Sequence, residues 1–580
     1  MDTTAPQLNA TEAPRSFGWV DLIVLLALLG LLWSALHFGK GMLVHFDPAS
    51  MQPIDESATQ IPYYAGRTLL RMWIAFLFSL VFAITMGYIA AKNRRARAFI
   101  LPALDVLQSV PVLGFLSATV TAFMALFPGT LLGVECAAIF AIFTGQVWNM
   151  AFGFYHSMVT IPPDMQEAAS TYGLSRWQRF LTVELPASTH SLIWNSMMSF
   201  GGGWFFVTQS EAISVMNKDV KLPGLGSYMA QAIERGDDAA AAWAVAAMLA
   251  LILVADQLVW RPLLAWANRF KIELTAPARP ATSWAYDLLR DAYLFTWLSE
   301  RVWRPLADAV RRIAVRRRTA VFGLTDRRRT LLGRAILWFL VAWIGVEVLR
   351  GLLAAAEALR GALTWPVFGK IVGLGSLTAL RVMAMTALAT LIWTPIGVWI
   401  GLKRRVARFA QPLAQIGASF PVNMTFPIVV GFFAAHEVSL NWGSIVLIAM
   451  GTQWYILFNV IAGAMAIPSD LKEAARTYGL RNWSLWKTLL LPAIFPFWVT
   501  GACTAAGGAW NASIVAELAT WGDTTLVADG LGAYIATVTK SGDTPLIIVS
   551  IAVMSIFVVA MNKLIWRRLY AYAERRFKLD

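Results

Sequence analysis

Cysteine is almost missing from this chain: two in 580 residues, Cys136 and Cys503, each inside an apolar run. Histidine is scarce as well, with five scattered positions at 37, 45, 156, 190 and 436. Together these scarcities exclude a disulfide framework and a Cys/His metal cluster. Charge is thin, 14% of residues against 58% hydrophobic, so the length does not describe about four soluble domains of ~150 residues each. There is no GxxxxGK followed by Ser or Thr, and so no phosphate loop for binding ATP. No small-residue cleavage site follows the apolar run Trp19 to Phe38, which reads as a retained span rather than a signal peptide. The one excess is a net charge of +14, which in so apolar a chain marks cytoplasmic loops and not a nucleic-acid surface.

What is present is membrane-spanning sequence. About 20 apolar residues at ~1.5 Å each cross ~30 Å of hydrocarbon. Such stretches fall at 19–38, 68–91, 99–127, 131–155, 188–209 and 240–262, then at 331–358, 376–401, 410–434, 442–466, 493–515 and 544–566. The expectation is an all-α integral membrane protein of twelve transmembrane helices in two groups of six. The connections 92–97, 403–408 and 472–487 and the tail 567–578 are basic, whereas the alternate ones carry no positive excess, so both termini are expected in the cytoplasm. Between the groups, residues 261–330 hold fifteen Lys/Arg against six Asp/Glu, which is +9 of the +14. Trp284, Tyr286, Trp297 and Trp303 alternate with arginines there, as in a helix lying on an anionic leaflet. A solvated connector between the halves is the other reading.

The two groups are copies of one another. At a shift of 306 (467 − 161), Ile161-Pro162 meets Ile467-Pro468, Gly201-Gly202 meets Gly507-Gly508, Trp204 meets Trp510, Glu211 meets Glu517 and Gly224-Leu225-Gly226 meets Gly530-Leu531-Gly532. Nearer each start the shift is 310 (378 − 68): Thr68 meets Thr378, Arg71 meets Arg381, Pro102 meets Pro412 and Pro111 meets Pro421. The second copy has lost four residues between Pro111 and Gly145, which leaves Glu135 opposite either Asn441 or Ile445. Copies of six spans each have the same orientation, so their pseudo-twofold is expected along the membrane normal. The expected divisions are 1–262 for the first repeat, 263–330 for the basic linker and 331–580 for the second repeat.

After the fourth span of each copy comes a connection, 164–186 and 470–492, whose residues 167–186 read EAASTYGLSRWQRFLTVELP and 473–492 read EAARTYGLRNWSLWKTLLLP, identical at eleven of twenty positions. Each reads as a short helix, a glycine turn, and a second amphipathic helix ending before Pro186 or Pro492. The paired alanines give the first helix a thin face that a partner can approach closely. Glu-Ala-Ala, three residues, Gly, nine residues, an aliphatic residue, one residue and Leu-Pro resembles the EAA coupling motif of permease subunits in bacterial ATP-binding cassette (ABC) importers. Trp204, Glu211 and Gly224-Leu225-Gly226, with their repeats, are similar to the nitrate, sulfonate and taurine permeases of that family. The resemblance covers most of 60–265 and 370–578. It implies ATPase-coupling roles for Glu167, Ala168, Ala169, Gly173 and Leu174, and for Glu473, Ala474, Ala475, Gly479 and Leu480. It also implies two copies of an ABC ATPase subunit, which bind ATP and Mg that this chain does not, a periplasmic or lipid-tethered solute-binding protein, and residence among the lipids of the bacterial inner membrane. The implied activity is import of a small solute, an anion such as nitrate, a sulfonate or a related organic acid.

The path itself is read from irregular backbone and polar groups at membrane depth. The candidates are Pro111, Gln146, Trp204, Glu211, Pro421, Gln453, Trp510, Asn511 and Glu517. Close packing of small residues and interhelical hydrogen bonds explain the same pattern, and Glu211 and Glu517 near span ends suit capping. An ion-gradient-driven transporter of two six-helix halves is the alternative function; it leaves the two EAA-like loops unexplained. A membrane enzyme lacks a paired-carboxylate or His-rich constellation.

Overall fold

The computed structural model describes residues 17–45, 54–215, 218–270, 283–298, 364–521 and 524–576, with single positions between 300 and 357. By contacts the chain divides into a smaller unit (1–37, 257–269, 273–356) and a larger one (38–256, 270–272, 357–580).

Among the described residues eight helices are long and apolar enough to cross a membrane, or nine if one bent pair counts as a span, in place of the twelve expected. The differences have local causes. The expected span 99–127 is two helices, Arg94–Gln108 and Val112–Leu126, meeting at 88°. The expected span 410–434 is likewise divided into Arg404–Ser419 and Phe426–Ala435. Pro111 and Pro421 sit at these breaks, and a proline pushes the residue before it out of helical geometry; Phe420 has ψ 128°. The expected span 188–209 is helical as Leu185–Glu211, but its serines, threonines, asparagine and glycines dilute it, and it is not among the eight. The span 331–358 and most of the basic linker lie outside the described residues.

In the larger unit one order of elements occurs twice. A long helix (Ile61–Lys92; Trp365–Leu402) leads through the proline break to a second (Leu132–Val159; Leu440–Ala466), then a short one (Pro163–Thr171; Ser469–Thr477). Next come the helices Leu185–Glu211 and Leu491–Ala516, then Leu225–Arg235 and Leu531–Ser541, and finally the apolar helices Asp238–Ala255 and Thr544–Met561. One amendment to an all-helical reading is a short antiparallel hairpin in each copy. Ala212–Val215 pairs with Lys218–Lys221, and Leu518–Trp521 with Thr524–Val527. The helices approach through small residues, as expected where lipid gives no hydrophobic drive between them. Ala137, Ala138 and Ala141 are buried in one copy, Ala502, Ala505, Ala506 and Ala509 in the other. A Cβ added at Gly87 would come to 2.8 Å of Phe154.

The smaller unit joins segments that the sequence assigns to different domains. The first helix, Trp19–Lys40, carries Asp21 near its start, and this buried carboxylate accepts a hydrogen bond from the Leu294 backbone N–H at 2.6 Å. It thereby caps the linker helix Tyr293–Leu298. Phe17 packs edge-on against Tyr293, 5.3 Å between centroids. The aromatic part of the linker therefore rests on the start of the first helix.

Candidate functional site

Each EAA segment begins as a short helix and stops at its glycine for a backbone reason. Gly173 has φ +61° and Gly479 φ +67°, the left-handed region in which a Cβ is strained. The Gly173 N–H bonds the Ser170 carbonyl at 3.0 Å and the Leu174 N–H the Ala169 carbonyl at 3.2 Å; Gly479 to Arg476 and Leu480 to Ala475 repeat this at 3.0 and 2.9 Å. That pair of bonds closes a helix C-terminus around glycine. Ala169 and Ala475 turn inward, whereas Glu167, Ala168, Glu473, Ala474 and both glycines are exposed. Beside them Tyr172 and Tyr478 are each 83% exposed, and Trp177 and Trp483 are 66% and 71% exposed. Each copy thus sets the same two exposed aromatics beside one exposed alanine, Ala168 or Ala474.

The chain beyond each turn departs from expectation. The second amphipathic helix does not end before the proline. It passes through a π-helical turn, Phe180–Glu184 or Trp486–Leu490, straight into the next long helix. The wider turn accommodates Pro186 and Pro492, which have no N–H to offer. Only the first copy anchors this turn by charge. Buried Glu184 pairs with Lys92 and with Arg179 at 3.0 Å. At the repeat positions the second copy has Leu402, Leu485 and Leu490. Glu184→Ala is expected to cost about 1 kcal/mol, since both cations stay partly solvated. Replacing Lys92, Arg179 and Glu184 together by Leu should restore thermal unfolding in detergent to the native midpoint.

At the opposite end of the same helices lies the largest buried charge cluster among the described residues. Arg71 grips Glu135 with two nitrogens (Nε to Oε2 2.5 Å, Nη2 to Oε1 2.7 Å) and Glu211 with a third (Nη1 to Oε1 2.7 Å); Arg67 adds a bond to Glu135 at 2.5 Å. Glu211 also accepts from Thr68 Oγ1 at 2.7 Å and from the Gly226 N–H at 2.7 Å, at the start of Leu225–Arg235 where the helix dipole favours an anion. In the second copy Glu517 takes Arg381 at 3.0 Å, Thr378 at 2.8 Å and the Gly532 N–H at 2.8 Å. The Gly-Leu-Gly repeats serve this closeness: a Cβ at Gly224 would stand 2.3 Å from the Glu211 carboxylate, and one at Gly226 2.3 Å from the Thr208 carbonyl. Arg381 Nη2 donates to Asn441 Oδ1 at 2.7 Å where Arg71 meets Glu135. Asn441 is therefore the mate of Glu135, and the four-residue deletion falls between Pro111 and Glu135. Arg71 and Arg381 escaped the sequence reading as partners of the glutamates, although both had been matched as repeats.

Between the copies is a cavity of about 290 Å³. Pro111, Trp510 and Asn511 line it; Gln146, Trp204, Glu211, Pro421, Gln453 and Glu517 do not. Glu211 and Glu517 are instead held in the charge clusters. Gln146 packs on Gly203, Gln453 accepts from Trp393 Nε1 at 2.8 Å, and Trp204 is buried edge-on to Phe200. Asn511 Oδ1 accepts the Val112 N–H at 2.9 Å and so caps a helix of the other copy. Asn423 donates to Thr208 at 3.0 Å, again across the copies. No Asp, Glu, Lys, Arg or His lines the cavity. Among the described residues no group of three His, Cys, Asp or Glu is placed to hold a metal.

Comparison with known proteins agrees with the duplication. The family model described as "Binding-protein-dependent transport system inner membrane component" matches twice, at residues 83–259 and 394–579. A putative ABC transporter permease protein of Methanocaldococcus jannaschii is 30% identical over 190 residues, 32% of this chain and 68% of that protein. A nitrate import permease protein of Leptolyngbya laminosa is 26% identical over 185 residues, 32% of this chain and 63% of that protein. A bicarbonate transport system permease protein of Synechococcus elongatus is 29% identical over 198 residues, 32% of this chain and 69% of that protein.

Proposed function

The chain belongs to the binding-protein-dependent transport system inner membrane components, carries that family's domain twice, and on that premise we propose that its two EAA loops receive two copies of one ABC ATPase subunit. It is a multi-pass inner-membrane permease component of an ABC importer, and the family's domain contains no ATPase. Family membership displaces the ion-gradient alternative.

One observation carries the reading of like partners: six exposed residues recur unchanged in the two loops, while Ser170, Ser175, Arg176 and Gln178, also exposed, have Arg476, Arg481, Asn482 and Ser484 as mates. Glu167, Ala168, Thr171, Tyr172, Gly173 and Trp177 repeat as Glu473, Ala474, Thr477, Tyr478, Gly479 and Trp483, all exposed. The same chemistry offered twice suits the same partner twice. In this reading the loops and both termini are cytoplasmic, the copies are related by a pseudo-twofold along the membrane normal with twelve spans in all, and a solute-binding protein docks on the far side. ATP-driven closure of the ATPase pair moves the loops together and rocks the halves about the cavity between them. In this reading the path runs past Pro111, Trp510 and Asn511, which line the cavity. Nitrate and bicarbonate, named for two relatives, support a small anionic solute, with sulfonates and organic acids in the same class. Purification from the native membrane in mild detergent, with subunits counted by mass spectrometry, is expected to recover two copies of one ATPase per chain. Recovery of the chain alone across several detergents, without ATP hydrolysis, would overturn the proposal.

A further inference from the structure

We propose that the cavity between the copies receives an organic solute bearing a planar ring, its polar group hydrogen-bonded by neutral amides, and not a small inorganic oxyanion. This rests on the permease reading above and narrows its solute.

Three features lead there. The first is size: about 290 Å³ lies at the lower edge of the ~300–1,000 Å³ found for pockets that take organic ligands. Nitrate or bicarbonate would leave most of that space to water. The second is the lining, where Trp148, Phe205, Phe420, Tyr455, Trp510 and Trp566 present aromatic surface. Rings prefer to pack on rings in offset or edge-on geometry. The third is charge. An inorganic oxyanion would exchange a full hydration shell for a few neutral donors, and taking it from water to a site without a cation is costly. A ring gains from apolar burial what the site withholds in counter-charge.

The polar groups are unequally shared, which gives the solute one orientation. Four amides line the cavity, Gln108, Asn149, Asn511 and Asn562, and none is the repeat mate of another: their repeat positions hold Ala418, Tyr455, Phe205 and Asp256. Asn511 has its oxygen engaged by the Val112 N–H, which leaves its Nδ2 to donate. Ser199, only 3% exposed, also lines the cavity, and its hydroxyl has no hydrogen-bond partner. Its repeat mate is Ala505. A buried hydroxyl left open in this way is satisfied by whatever occupies the space beside it.

The test uses the full chain in lipid nanodiscs, saturation-transfer difference NMR on the ring protons of benzenesulfonate, and empty nanodiscs as background. The native chain should transfer saturation to the ring, and a tenfold excess of nitrate or bicarbonate should not displace it. Asn511→Leu removes a donor but also a helix cap, so Gly507→Phe serves beside it. Gly507 lines the cavity and a Cβ there meets nothing within 4 Å, so the ring fills space without a backbone clash. Both variants should lower the transferred signal at least fivefold. No signal above empty nanodiscs, displacement by nitrate, or a signal unchanged by Gly507→Phe would overturn the inference. Co-purifying ATPase is scored on the same preparations. Its retention without ring binding sinks this inference alone, and its absence sinks the docking proposal whatever the ring does.

Discussion

Gly173→Arg combined with Gly479→Arg leaves the chain in the membrane and abolishes recovery of the ATPase, a loss of more than tenfold. Each glycine is exposed and its added Cβ would meet nothing within 4 Å. No packing is lost, but a long cation now stands on the face made by the alanines and tyrosines. The residue must also hold φ near +60°, at roughly 1–2 kcal/mol for a side chain that resists it. Two controls separate blocking from strain. Asparagine, which tolerates this conformation best after glycine, should retain the ATPase at both positions. Ala168→Arg with Ala474→Arg introduces the same bulk on regular helix and should abolish recovery without strain. Either single glycine variant should keep one ATPase per chain. Normal binding by the double arginine variant would refute the coupling assignment.

The second large effect concerns the buried charge cluster. The first copy balances two arginines, 67 and 71, against two glutamates, 135 and 211, all at most 1% exposed. The second balances Arg381 against Glu517, with Leu377 and Asn441 at the positions of Arg67 and Glu135. A cation and an anion have been exchanged together for neutral residues. Glu135→Asn alone leaves Arg67 buried without its carboxylate, and Arg67→Leu alone leaves an excess acid. Each is expected to destabilise by about 3–5 kcal/mol, the cost of one uncompensated buried charge. The double variant Arg67→Leu/Glu135→Asn reproduces the second copy and should recover to within about 1.5 kcal/mol of the native chain. Thermal unfolding in detergent across this double-mutant cycle measures the coupling. Additive single and double effects would mean that Arg67 and Glu135 do not act as a pair.

The glycine turns were legible because a left-handed cap is written in adjacent residues: small side chains, glycine at a fixed place, and the same spelling twice. Spans and duplication were legible for the same reason, since apolar length and repetition are properties of contiguous sequence. The interruptions at Pro111 and Pro421 were legible as prolines inside apolar runs, but not that the chain turns by 88° at the first and divides into two separate helices at the second.

The chain alone determined a duplicated, membrane-spanning permease with two like EAA loops and no phosphate loop of its own. Tertiary structure decided which polar groups pair in the interior and which line the cavity. Glu211 lies 140 residues from Arg71, and Glu517 lies 136 from Arg381. Nothing local to a glutamate tells whether it faces a solute or an arginine, because burial and partner are set only when distant helices pack. The same packing placed Glu135 opposite Asn441 and gathered Trp510 and Asn511 beside Pro111 around one uncharged cavity.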